Sequence, residues 1–125
     1  MEKTIQIVKV KPMDNARIAE IDHTLEAMQE LVGGYIEAIP IDDEVVIVCN
    51  EEGKLHGLQP NRGLYYDGEL ADILFGTFFI CAAPLDKGEF ASLTDEQAEY
   101  YAAWFKHPEV FHWNGTKIIS RKIGI

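Results

Sequence analysis

The chain has 125 residues, of which 47% are hydrophobic and 26% charged, a balance that suits a soluble globular fold and argues against disorder. Its formal net charge is -10 with a pI near 4.7, so it repels phosphate backbones and is not expected to bind nucleic acid directly. No apolar run approaches the roughly 18 residues of a membrane-crossing helix, the longest candidate being the stretch from Ile73 to Pro84.

The N-terminus, Met1-Glu2-Lys3-Thr4, carries no signal-peptide core and leads straight into an alternating pattern, so a cytoplasmic protein is expected. Thr4–Lys11 alternates apolar and polar residues as a first strand. Pro12 breaks it, and Ala16–Ile21 reads as a short second strand forming a wide hairpin with the first. Asp22-His23-Thr24 supplies capping oxygens for a helix whose apolar positions are Leu25, Met28, Leu31 and Val32. Gly33-Gly34 ends that helix, because glycine tolerates the left-handed C′ conformation.

Tyr35–Pro40 and Glu44–Asn50 read as an antiparallel hairpin around Asp42-Asp43. The run Val45-Val46-Ile47-Val48-Cys49 is apolar at both parities, which places its strand centrally with both faces covered. Glu51–Lys54 is a turn, and Gln59-Pro60-Asn61-Arg62-Gly63 reads as a polar loop. Tyr65-Tyr66-Asp67-Gly68 makes another turn, Leu70–Phe75 is ambiguous, and Gly76–Ala83 is a second buried strand. Thr94 with Gln97 forms a capping box for a helix over Asp95–Phe105, which His107-Pro108 stops. After it, Asn114-Gly115 signals a tight turn within a small hairpin or an extended arm. The fold class expected is α+β: one domain over 1–125, a mainly antiparallel sheet with two helices packed against it, plus an extended C-terminal tail over 108–125.

Motifs for catalysis and cofactors are missing from this sequence. There is no GxGxxG, Walker loop, GxSxG or HExxH, and no CxxC, so no cofactor, metal or catalytic residue is expected. Cys49 and Cys81 read as buried, reduced hydrophobes. An Asn50-Glu51-Glu52 cation site lacks further aspartates at suitable spacing. The best candidate site is the loop ending on Arg62, whose guanidinium could clamp a carboxylate or phosphate. Asn61, Asn50, Lys54 and His56 would add polar contacts, and the competing role for Arg62 is an ion pair that pins the loop. Trp113 and Phe111 in the tail are candidates for a contact between copies of the chain or for stacking on a planar ligand.

The segments Leu31–Glu37, Asn50–Leu55 and Gly57–Arg62, with Gly76–Ile80 and Ser92–Gln97, resemble an uncharacterised domain family of phages, plasmids and mobile elements of Gram-positive bacteria. The likeness covers roughly residues 4–107. Where that family usually has Pro-Pro-Asn-Arg, this chain has Gln59-Pro60-Asn61-Arg62. The resemblance implies a mobile-element accessory protein in the cytoplasm of a bacterial host, with an anti-defence role as the sharper expectation. The first functional reading is therefore a non-enzymatic protein that sequesters a small anionic ligand, such as a nucleotide signal, on Arg62. The alternative is an acidic interaction module that inhibits a host protein by occupying a basic surface. An enzyme built on His56 and a nearby carboxylate ranks third.

Overall fold

The computed structural model describes residues 3–124. Met1, Glu2 and Ile125, where the reading of the N-terminus begins and that of the tail ends, lie outside the described residues. Five strands form an antiparallel sheet in the order β2-β1-β7-β4-β3: β1 (Thr4–Val10), β2 (Arg17–Asp22), β3 (Ile36–Asp42), β4 (Val45–Asn50) and β7 (Phe78–Ala82). Two further antiparallel ribbons follow from β5 (Pro60–Tyr66) with β6 (Glu69–Phe75), and β8 (Glu109–Trp113) with β9 (Ile118–Lys122). The helices are α1 (Leu25–Val32) and α2 (Asp95–Trp104).

Every residue of β4 and β7 is buried, as their unbroken apolar runs require of strands covered on both faces. Period-two alternation sends Val45, Ile47, Phe78 and Ile80 to one face, where they meet Ala98, Tyr101 and Phe105 of the α2 segment and Leu74 of β6. Val46, Val48, Phe79 and Cys81 go to the other, against Met28 and Val32 of α1. The edge strand β3 holds Pro40, a place where a missing N–H costs no ladder bond.

Both helix starts follow from their side chains. The Thr24 hydroxyl accepts from the Ala27 N–H, and Thr94 with Gln97 completes the reciprocal capping box. Gly33 takes the left-handed C-cap at φ 82°. Gly34 has a separate reason: a Cβ there would come within 2.8 Å of the Asn50 Nδ2.

Three corrections to the sequence reading follow. The chain is mostly β, with 46% strand against 15% helix, so the two helices are minor covers on a β framework. The expected extended C-terminal tail is not what residues 109–122 form: they fold back as the β8–β9 hairpin. Its turn is closed by the Asn114 side-chain oxygen, which accepts from the Thr116 and Lys117 N–H groups. The loop read around Asn61 is also a strand, β5, and the ambiguous Leu70–Phe75 stretch is its partner. Their two-residue turn has Asp67 at φ 52° and Gly68 at φ 79°, the paired positive φ values of a tight hairpin turn.

Cys49 and Cys81 sit on opposite faces of the sheet and are unbridged. Burial pushes their thiols up to about 11 and about 12. In the folded protein at about pH 8, a thiol reagent should therefore leave both unlabelled, with full labelling only in denaturant. Rapid modification under native conditions would contradict their burial.

Candidate functional site

The five residues singled out from the sequence do not converge on one open site. Arg62 is 1% exposed and its guanidinium is spent on the protein itself. Its Nε and Nη2 donate to the Phe105 carbonyl at 3.1 and 2.9 Å, Nη2 also to the Asp14 carbonyl at 2.6 Å, and Nη1 to the Asn61 Oδ1 at 2.9 Å. Burial lowers its pKa, with the charges of Glu109 and Asp14 acting in the opposite direction. Asn61 is fully buried and its amide donates to the carbonyls of Val10 at 2.9 Å and Gly76 at 2.8 Å. Together these two side chains fasten β5 to the end of β1, the β1–β2 loop, the β6–β7 turn and the end of α2.

Asn50, 6% exposed, plays a similar part at the end of β4. It donates to the Val32 carbonyl and accepts from the Glu52 N–H, tying the end of α1 to the turn after β4. Lys54 and His56 remain at the surface. Lys54 is 2.6 Å from Asp72, and the His56 Nε2 lies 3.6 Å from Glu52. Among the described residues no group of three or more His, Cys, Asp or Glu side chains is placed to hold a metal ion.

A second buried polar group was not legible from its neighbours in sequence. Glu109, 5% exposed, accepts from the Gly63 N–H at 3.0 Å and from the Tyr65 hydroxyl. Ser120 also bonds that hydroxyl, so the C-terminal hairpin is fixed on the outer side of the β5–β6 ribbon. Burial first, and then Glu109, raises the Tyr65 pKa.

The carboxylates and aromatics meet elsewhere, in a recess of about 480 Å³ between the β3–β4 turn and α2. Asp42, Asp43, Glu96, Tyr100 and Tyr101 contribute to its lining, and among the described residues no lysine or arginine does. The Asp42 carboxylate accepts from the Asp43 N–H and from the Tyr101 hydroxyl, each at 2.8 Å. These bonds lower its pKa, so it holds its charge at any pH near neutrality. Burial and the Asp42 charge raise the Tyr101 pKa, which keeps that phenol a donor. The Tyr100 and Tyr101 rings stand nearly perpendicular, 5.0 Å apart, and Trp104 lies 5.6 Å from Tyr100 on the next turn. Tyr100 and Trp104 are 55% and 58% exposed, so both rings are available to a ligand. Nothing local in the sequence says that the acidic turn lies across from these aromatics.

Two tests follow. Arg62→Ala should cost about 3–5 kcal/mol in urea unfolding, because two buried carbonyls and the Asn61 amide oxygen lose their donors. Arg62→Lys should recover little of this, since one ammonium cannot span the same acceptors. A loss below about 0.5 kcal/mol would mean the network contributes nothing. For Asp42, a depressed folded pKa contributes stability that is present above its ordinary value of 3.8 and lost as pH falls through the folded value. Its carboxyl titration followed by NMR should therefore have a midpoint below 3.8, and Tyr101→Phe should move that midpoint upward.

No curated protein and no solved structure is similar enough to this chain to be matched. A family model does match, over residues 5–106, which takes in the five-stranded sheet, both helices and the β5–β6 ribbon and leaves out the β8–β9 hairpin. The chain thus belongs to the family described as a domain of unknown function, DUF3846.

Proposed function

We propose that this chain is a non-enzymatic accessory protein that acts by occupying a basic surface of another protein. The observation that carries this reading is the recess beside α2, where three carboxylates and two tyrosines converge without a lysine or arginine in the lining. Carboxylates give long-range attraction and a bidentate acceptor for guanidinium groups. Exposed Tyr100 and Trp104 add the faces on which a desolvated cation rests. The excess of 21 acidic over 11 basic residues speeds encounter with a basic partner and discourages acidic ones.

The alternative, capture of a small anion by Arg62, has weaker support. A ligand would have to replace three backbone-carbonyl bonds and the Asn61 contact, and reach a side chain that is 1% exposed. In the mobile-element setting that the sequence resemblance implies, the partner would be a host protein in the bacterial cytoplasm, and an anti-defence role would follow if that protein belongs to host immunity.

An arginine-rich peptide is a suitable probe. Its affinity should fall steeply with salt, and the pair Asp43→Lys/Glu96→Lys should weaken it about ten-fold or more. Glu26→Lys/Glu30→Lys on α1 changes the net charge equally at a distant face and should cost far less. Equal losses from the two pairs would sink the reading, because binding would then be diffuse charge attraction without a recess.

A further inference from the structure

A second concavity, of about 780 Å³, lies between the β5–β6 ribbon and the β8–β9 hairpin. Cross-strand pairing puts Glu109, Phe111 and Trp113 on one face of the hairpin with their partners Lys122, Ser120 and Ile118. Glu109 and Ser120 hold Tyr65, so this face looks toward the ribbon and is closed at its base. Nearer the turn the same face carries Trp113 and Ile118, which stay 64% and 46% exposed. Opposite them the ribbon presents Tyr65, Leu70 and Ile73. Two apolar walls are thus tethered at one end and stand apart at the other.

From this we infer a binding site for a flat aromatic small molecule that carries one acidic substituent. The volume falls within the range of small-molecule cavities, about 300–1,000 Å³, and the tether at Tyr65 bounds how far the walls can separate. An indole face opposite aliphatic side chains suits a planar ring system. Lys54 also borders the cleft, but its charge is taken up by Asp72 at 2.6 Å. Among the described residues, Lys117 has no carboxylate within 4.0 Å and can meet the acidic group. Glu69 in the β6 wall disfavours a second negative charge. Because the hairpin lies outside the matched family residues, this cleft is built partly from what this chain adds to that domain.

Naphthalene-2-sulfonate and its uncharged counterpart 2-naphthol test the site, followed by NMR on the full chain. The Trp113 indole N–H and the amides of Leu70, Ile73 and Ile118 should shift and saturate with the sulfonate, while the Trp104 indole stays in place. Trp113→Ala should weaken the sulfonate about ten-fold or more, and its exposed position leaves the fold intact. The sulfonate should bind at least about three-fold tighter than the naphthol, and Lys117→Ala should erase that difference. No saturable shift below about 1 mM, unchanged affinity in Trp113→Ala, or equal binding of the two probes would each overturn the inference.

Discussion

The buried pair Asn61–Arg62 is the joint on which the rest of this protein is assembled. A cation removed from water is expensive, and it is tolerated here because carbonyl dipoles and an amide oxygen surround it, with Glu109 and Asp14 near enough to favour the charge. Those acceptors belong to segments far apart in sequence: the β1–β2 loop, the end of α2 and β5 itself. Packing alone leaves such loops and helix ends with unpaired carbonyls. One planar, five-donor side chain and one amide close them together. Glu109 repeats the logic one layer further out, fixing the C-terminal hairpin through Gly63 and Tyr65.

This arrangement bears on where the proposed recognition could occur. Arg62, Asn61 and Asn50 are consumed inside, so both proposed sites rest on surfaces where side chains remain free. Two such surfaces differ in kind. The recess beside α2 gathers carboxylates and tyrosines, and its Asp42 is kept charged by its own hydrogen bonds. The cleft between the ribbons is largely apolar and offers one uncommitted ammonium. The recess lining is acidic while the cleft balances Lys54 and Lys117 against Asp72 and Glu69, so the two proposed sites suit different classes of ligand.

Much of the framework was legible in the sequence because it rests on local rules. The buried runs of β4 and β7, the caps at Thr24 and Thr94 and the glycine stop at Gly33 each follow from periodicity or from one hydrogen bond within a few residues. Pro60-Asn61-Arg62-Gly63 was misread as a loop for the converse reason. Those residues punctuate turns when water or neighbours satisfy them, and only partners at Asp14, Gly76 and Phe105 make them a buried strand. Asp67-Gly68 was a hairpin signal whose flanking strands were too polar on one side to declare themselves.

The candidate site was less legible still. Local sequence identified Asp42-Asp43 as an acidic turn and Tyr100-Tyr101 as part of a helix. That the Tyr101 hydroxyl meets the Asp42 carboxylate depends on how α2 crosses the sheet. Sequence by itself determined the central strands, the helix boundaries and the strongly acidic balance, because each is a property of neighbours or of sums. Only the tertiary structure decided that Arg62 is a fastener, that the last hairpin folds back on β5, and which exposed groups share a surface. Those outcomes hang on contacts 43 to 59 residues apart, which no local pattern encodes.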